Sequence, residues 1–437
     1  MKMDNIHTLI SKYSGNIPRY TSYPTVPDWK NNINYTEWLQ QITPSLINES
    51  ISLYLHIPFC NKLCTFCACN KLVTENYENV HRYISAIEQE ILEYKKHINF
   101  KKITVRQFHI GGGTPTFLRS QEMESLFKML EKYFKFEENA EKSIEAHPEF
   151  TTKEQISTLK KWGFNRISFG IQDFNPQVQE IINRKQSYKN ILELTQFARE
   201  NKFFSINYDF IYGLPLQNSQ CIEQIVNGVC EAKPDRIAFY GYAHVPWKSA
   251  SQRKYSENDL PTPQERLNLF MQGKQGFETL GYNAIGMDHF ALSTDDLYLS
   301  YKNGTLHRNF MGYTIKHTNA LLGLGFSSIS ETPNAYKQNT KNLAKFYKDQ
   351  TLIETSHLLS QAEIHAKKHI MQIMTQFFTH CNAITPQLEE MQKDGLLEHK
   401  NGKIQVTELG KTFLRNIAVE FDINRKNRES GKFSQSL

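Results

Sequence analysis

Four of the seven cysteines in this chain fall within ten residues, as Cys60, Cys64, Cys67 and Cys69, while Cys221, Cys230 and Cys381 are scattered. Thiols crowded onto so short a segment are expected either to be bridged or to bind metal, and each choice fixes the local fold. A disulfide framework belongs to short secreted chains, whereas this one has 437 residues, enough for a large domain plus a small one or for two to three medium ones. A structural zinc site draws paired Cys-x2-Cys units from two segments, and no second unit is present. The spacing Cys-x3-Cys-x2-Cys suits a four-iron four-sulfur cluster held by three thiolates, with one iron open to a small ligand. A closed cluster completed by Cys69 is the inert alternative. The three scattered cysteines read as inert buried thiols.

Composition narrows the class. Apolar residues make up 39% and charged residues 22% of the chain, and the formal net charge is +6. That mild excess is spread thinly, with no Lys/Arg block of the kind that binds nucleic acid or anionic membranes. It would favour an anionic small substrate only weakly. No apolar run approaches the ~18 residues of a membrane span, the longest candidate lying near Ala320–Phe326. Met1–Gly15 has no apolar signal-peptide core. A cytoplasmic globular protein is the expectation, with no nucleic-acid or membrane partner.

The segment Ile51–Pro58 is rich in β-branched and aromatic residues and reads as a buried strand, with the cysteines following its C-terminal end. Further apolar runs recur at 103–110, 143–147, 166–171, 205–211 and 236–240. Helical stretches separate them, at 78–94, 120–133, 153–162, 189–201 and 222–232. Such alternation implies parallel βα units, and six strands favour a partial barrel, whose chemistry sits at the C-terminal ends of the strands. The last ninety residues read as helix, helix, hairpin and closing helix, with the hairpin turn at Asn401-Gly402. That order resembles a winged helix, but the second helix carries Glu389, Glu390 and Asp394 against Lys393, so packing or covering substrate suits it better than binding DNA. The expected class is α/β, a partial (β/α)6 barrel with a small C-terminal, mainly helical, winged-helix-like domain. The expected boundaries are 1–50 for an N-terminal extension, 51–345 for the barrel, 346–425 for the helical domain and 426–437 for a disordered tail.

Each strand end is followed by polar or glycine residues. Gly111-Gly112-Gly113-Thr114 lacks side-chain bulk, so backbone groups there can approach a ligand; alone it could equally be a tight turn. Beside an open iron it reads as the seat of an amino acid moiety. Glu145, Gln172 and Asp209 stand at later strand ends, with Arg184 on the stretch after Gln172. Carboxylates can hold an ammonium or ribose hydroxyls, an amide a base edge, and arginine a carboxylate. Singly each could be a surface or capping residue; together they suit a nucleoside with a zwitterionic tail. Asp173 is open to reading as a helix cap.

These residues also carry a family resemblance. Cys60-x3-Cys64-x-Phe66-Cys67 is similar to the signature of radical S-adenosylmethionine enzymes. The longer run from His56-Ile57-Pro58-Phe59 through Cys69-Asn70-Lys71 resembles the oxygen-independent coproporphyrinogen III oxidases (coproporphyrinogen dehydrogenases) of haem biosynthesis. So do Pro18–Pro24, Gly111–Thr116, Gly163–Arg166 with Gly170–Phe174, Asp209–Pro215, Tyr242–Pro246, Asp288–Leu292, His307–Thr314 and Gly323–Gly325 with Ile329-Ser330. The match spans residues 15–425.

The resemblance implies a [4Fe-4S] cluster ligated by Cys60, Cys64 and Cys67, with S-adenosylmethionine chelating its open iron. Tyr54, Gly112, Glu145 and Ile329 would contact that molecule. Phe66, Gly113, Thr114, Gln172, Arg184, Asp209 and Ala243 would contact a second S-adenosylmethionine. Cys69 is not expected to ligate the cluster and would act near the substrate, together with Tyr20. A tetracarboxylate substrate needs cationic partners, for which Arg19 and Arg308 are the candidates, a solvated surface position being the equal alternative for each. The stretch Pro18–Pro24 would fold over bound substrate. The implied reaction turns two propionate side chains of coproporphyrinogen III into vinyl groups, giving protoporphyrinogen IX. A 5′-deoxyadenosyl radical would abstract a hydrogen from the propionate β-carbon, and carbon dioxide and one electron would then leave. The implied partners are a reductase or flavodoxin-type electron donor and an unidentified acceptor, and the chain is expected to be a monomer. Where the enteric pattern runs Glu-x-Asp-Pro-Arg, this chain has Glu145-Ala146-His147-Pro148-Glu149. The reversed charge at Glu149 is expected to face away from the site. A haem-binding chaperone of the same superfamily, or a radical enzyme acting on another tetrapyrrole, is the alternative; Cys69 and the complete Pro18–Pro24 segment speak against the first.

Overall fold

The computed structural model describes residues 3–13, 15–247 and 249–425, so the tail expected over 426–437 lies outside the described residues. The chain divides into two compact units. One comprises residues 30–280 and 316–358, the other residues 1–29, 281–315 and 359–437.

In the first unit ten strands lie side by side. In chain order they are β1 (Ile51–Ile57), β2 (Thr104–Gly112), β3 (Lys135–Ala146), β4 (Arg166–Gln172), β5 (Ser205–Tyr212), β6 (Arg236–Gly241), β7 (Leu321–Leu324), β8 (Ile329–Glu331), β9 (Ala335–Asn339) and β10 (Ile353–Leu358). Their spatial order is β10-β9-β8-β7-β1-β2-β3-β4-β5-β6. From β7 through β1 to β6 every pairing is parallel, and β7 to β10 pair antiparallel. The six expected strands are thus the parallel array β1–β6, separated by the expected helices at Glu78–Lys95, Ser120–Glu131, Lys153–Lys161, Tyr188–Glu200 and Ser219–Ala232. A parallel strand that buries both faces reads as a largely apolar run, and β1 is buried at every position but Tyr54, with Ser52 and His56 its buried polar residues.

Two features depart from the expected elements. β3 begins at Lys135, eight residues before its apolar stretch, because its polar first half pairs with the start of β2 across an irregular register between Val105 and Gln107. β7 to β10 extend the sheet beyond β1, and β9 is buried throughout although it reads Ala-Tyr-Lys-Gln-Asn. Its side-chain nitrogens are paired inside the protein, while Gln338 Oε1 and Asn339 Oδ1 are buried without a hydrogen-bond partner among the described residues. Lys337 Nζ donates to Tyr94 Oη at 2.9 Å, and Asn339 Nδ2 donates to Glu90 at 2.6 Å. Glu90 also accepts from the Gly325 amide at 2.7 Å. Burial lowers the Lys337 pKa to about 8, partly offset by Glu90. Breaking such a pair leaves a buried charge without compensation.

The second unit packs its own core. Leu9, Tyr20, Tyr23, Ile370, Ile373, Met374, Phe413 and Ile417 belong to one buried cluster. Its C-terminal part follows the expected order: helices Gln361–Gln376 and Pro386–Lys393, the hairpin Leu397–Lys400 with Lys403–Val406, and short closing helical turns from Gly410 to Phe421. The helical spacing of the sequence runs over Gln361–Cys381, but the helix stops at Gln376 because Phe377 turns left-handed (φ 61°). Phe378–His380 then adds a third strand to the hairpin. No helix among the described residues is long and apolar enough to cross a membrane.

Candidate active site

The parallel array of the first unit ends in one cleft with a cavity volume of about 150 Å³. Its walls come from successive strand ends: the cysteine loop after β1, Gly112–Pro115 after β2, Glu145–His147 at the end of β3, Gly170 and Gln172 on β4, and Asp209 on β5. Strand register explains the convergence. Ile57 lies opposite Gly112, Glu145 opposite Ser168, and Gly170 opposite Asp209, so the polar ends share one level.

The cysteine loop is held from several sides. Pro58 and Cys60 carbonyls accept from Leu72 and Thr74 amides at 2.7 and 3.0 Å, closing its base. His56 Nε2 meets the Asn70 carbonyl at 2.9 Å, and Tyr54 Oη meets His56 Nδ1 at 3.1 Å. Lys71 Nζ donates to the carbonyls of Cys67 and Cys69, neutralising the dipoles at the loop's end. On the far side Asn183 Nδ2 donates to Leu63 O, and the Thr65 amide to Ile182 O. Gly113 explains the glycine run, since a Cβ there would stand 2.7 Å from the Pro58 carbonyl oxygen. Gly112 adopts φ +119°, and a Cβ on it would meet the His56 ring.

The thiols sit in unlike surroundings. Burial pushes Cys60 up to about 11, partly offset by Thr114 Oγ1, 3.5 Å from its sulfur. The Cys69 thiol, hydrogen-bonded to Cys67, brings Cys67 down to about 6, against burial. Arg184 Nη1 donates to Cys64 Sγ at 3.4 Å. Among the described residues no three His, Cys, Asp or Glu side chains converge as a single metal ion requires. A cubane spaces its thiolates more widely than a lone ion does, and three cysteines on one loop with Lys62, Lys71 and Arg184 lining the same cleft suit that anionic group.

Around them stand the groups for an organic ligand. Glu145 Oε2 accepts from the Gly112 amide at 3.2 Å, and Oε1 lies 3.5 Å from His109 Nε2. Asp209 accepts from Ser168 Oγ and Asn207 Nδ2, and burial pushes its pKa up to about 6. Gln172 is held at φ +70°, a conformation rare for a side-chain-bearing residue. Arg184 Nε donates to the Gly170 carbonyl at 3.1 Å.

The cleft therefore gathers Cys60, Cys64, Phe66, Cys67, Cys69, Gly112, Gly113, Thr114, Glu145, Gln172, Arg184 and Asp209 from the expected residues. Three others do not line it. Tyr54 stacks on His109 behind the wall, Ile329 is buried on β8, and Ala243 follows β6. Gln252 ties Ala243 to the loop, its Nε2 lying 3.1 Å from the Phe66 carbonyl and 3.2 Å from that of Ala243. Nothing in the sequence marks Gln252. His147 also lines the cleft, whereas Glu149 is exposed and does not. Asp173 is fully buried and structural, accepting from the Asn175 amide and from Gln217 Nε2. In the second unit Arg19 is paired with Asp288, and Tyr20 donates to Asp422 at 2.8 Å. Arg308 donates to the Tyr20 and Arg19 carbonyls, and its buried Nη1 has no hydrogen-bond partner among the described residues.

The chain is similar to known proteins. The radical SAM superfamily matches residues 54–228. Oxygen-independent coproporphyrinogen III oxidase of Synechocystis sp. is 36% identical over 98% of this chain and 97% of its own length. The enzyme of that name from Escherichia coli K12 is 38% identical over 95% and 94%, and that from Helicobacter pylori J99 36% over 98% of each chain. The solved structure of the E. coli coproporphyrinogen III oxidase, described as a radical SAM enzyme, superposes with a TM-score of 0.89 over 95% of this chain and 98% of that one, at 36% identity. Identity at this level across nearly the whole length means that the chain belongs to the oxygen-independent coproporphyrinogen III oxidase family of radical SAM enzymes.

Proposed function

We infer that this chain converts coproporphyrinogen III to protoporphyrinogen IX without oxygen, by oxidative decarboxylation of two propionate side chains, as a step of haem biosynthesis. The observation that carries the reading is one cleft that holds three cysteines of a single loop beside the Gly112-Gly113 backbone, Glu145, Gln172, Arg184 and Asp209, in a chain that aligns with these oxidases from end to end. Its cofactors are a [4Fe-4S] cluster and S-adenosylmethionine. When bound, the cluster supplies the electron that cleaves S-adenosylmethionine to methionine and the deoxyadenosyl radical that oxidises a propionate.

The chain's own groups bind, orient and insulate. Cys60, Cys64 and Cys67 are proposed as the cluster ligands. Glu145 and the Gly112 backbone suit an ammonium, and the Asp209 carboxylate and Gln172 amide suit hydroxyls and a base edge. Arg184 offers its guanidinium to a carboxylate. Two S-adenosylmethionine molecules are proposed, with Phe66, Gly113, Thr114 and Ala243 serving the second and Tyr54 and Ile329 supporting the first. Arg308, with its unpaired buried Nη1, is proposed to receive a propionate, together with Arg19 and Tyr20. Cys69 is exposed into the cleft and is proposed to act beside the substrate. A flavodoxin-type donor, a separate electron acceptor, a monomeric state and a cytoplasmic location complete the proposal.

Turnover without oxygen tests it. Reconstituted, reduced enzyme given S-adenosylmethionine and coproporphyrinogen III should form vinyl-bearing porphyrinogen together with 5′-deoxyadenosine. Deoxyadenosine without decarboxylation would move the substrate to another tetrapyrrole, and neither product would leave a haem-delivery role.

A further inference from the structure

The second unit carries two histidines that the chemistry at the cysteine cleft does not use. His365 and His369 lie four residues apart on the helix Gln361–Gln376, so their side chains share one face. Their Nε2 atoms are 3.1 Å apart. The neighbours decide which nitrogen of His369 carries the proton. The Thr379 hydroxyl gives its single hydrogen to the side-chain oxygen of Gln372 at 2.7 Å, so towards His369 Nδ1, 2.8 Å away, it can only accept. His369 is therefore protonated on Nδ1 and turns the lone pair of Nε2 towards His365. Its ring is also fixed in plane, stacked on Phe421 with centroids 5.1 Å apart.

We propose that His365 and His369 form a binding site for a divalent transition cation of the Zn2+ or Ni2+ kind, with Thr379 holding the His369 tautomer. Two nitrogens 3.1 Å apart, each at the ~2.05 Å of a zinc–imidazole bond, subtend about 100° at the ion, between the octahedral and tetrahedral angles. An acceptor on the far ring nitrogen is the arrangement that ligating histidines almost always show. His365 is exposed, so the ion reaches the pair from solvent, and the helix already supplies the spacing. Among the described residues no third His, Cys, Asp or Glu joins them, so water completes the coordination. A pair of imidazoles selects borderline cations over Mg2+ and Ca2+, which require oxygen ligands. Such an ion would staple one helical turn beside the strand Phe378–His380 and stabilise the folded unit by mass action.

Equilibrium dialysis of the cluster-loaded enzyme against Ni2+, without oxygen, tests the site. The wild type should take up one more nickel ion per chain than His365→Gln or His369→Gln, whose affinity at this site should fall at least tenfold. Thr379→Val should weaken it severalfold while both imidazoles remain. Excess Mg2+ should not compete, and iron content should be equal in all four proteins, which keeps nickel exchange at the cysteines out of the comparison. Nickel X-ray absorption should report two imidazole nitrogens. Equal nickel uptake by the wild type and the exposed-site variant His365→Gln, or no uptake at submillimolar nickel, would overturn the proposal.

Discussion

The guanidinium of Arg184 reaches the sulfur of Cys64 at 3.4 Å while its Nε holds the carbonyl of Gly170. One side chain thus couples the cysteine loop to the end of β4, and its charge also helps keep His147 neutral, after burial. A permanent cation donating to a cluster thiolate stabilises the more negative, reduced state. Arg184→Met is therefore expected to retain iron but to lower the cluster potential by on the order of 50–100 mV, the equivalent of one charge-assisted hydrogen bond. A redox titration followed by electron paramagnetic resonance checks this; an unchanged potential would remove Arg184 from that role.

The cysteines should divide by role. Cys64→Ala is expected to lose cluster and activity together, since two thiolates of one loop cannot hold the cubane. Cys69→Ala should keep its iron and lose turnover. Iron and sulfide analysis decides, and a clear loss of iron from Cys69→Ala would make Cys69 a ligand.

Asp209 gives a pH dependence with a definite sign. Its folded pKa of about 6 lies above the ordinary carboxylate value, with burial the largest cause. A ligand that needs the carboxylate should bind with constant affinity above pH 6 and lose up to ~10-fold per unit below it. Asp209→Asn should bind weakly at every pH. The effect on folding runs the other way, because a raised pKa contributes stability that is present at low pH and is lost as pH rises through about 6. S-adenosylmethionine binding measured from pH 5 to 8 separates the two; equal slopes for wild type and Asp209→Asn would exclude Asp209 from the contact.

Gly113→Ala tests the close approach at the glycine run. The new methyl would stand 2.7 Å from the Pro58 carbonyl oxygen and 2.8 Å from that of Phe59, both backbone atoms that cannot turn aside. A loss of on the order of 2–3 kcal/mol is expected, with poor cluster incorporation because the cysteine loop must shift. Thermal unfolding and iron content measure both, and a variant with wild-type values would show the approach to be looser.

The parallel array was legible because buried parallel strands advertise themselves as runs rich in β-branched, aliphatic and aromatic residues, as Ile51–Ile57 does despite Ser52 and His56. The cysteine loop and the polar strand ends were legible because chemistry there needs particular residue types at particular spacing. β9 was not, since its Lys337, Gln338 and Asn339 are buried through long-range partners such as Glu90 and Tyr94, which no local pattern shows. The early half of β3 was hidden for the opposite reason, its charged residues facing solvent while its backbone pairs with β2. Gln252 is a single polar residue without a motif, and only the fold brings it to the loop, while His147, a departure from the family pattern after Glu145, is shown to line the cleft only by the fold. Within the site, the family pattern located residues whose distance from the cleft it could not convey: Tyr54 stands behind the wall, stacked on His109.

The central claim is that this cleft directs a radical to a propionate side chain. Coproporphyrinogen III deuterated at the propionate β-carbons, turned over without oxygen by the reduced enzyme, tests it most directly. Deuterium in the 5′-deoxyadenosine, formed together with protoporphyrinogen IX, is the expected result. Protoporphyrinogen formed with unlabelled deoxyadenosine, or labelled substrate recovered unchanged while deoxyadenosine accumulates, would contradict it.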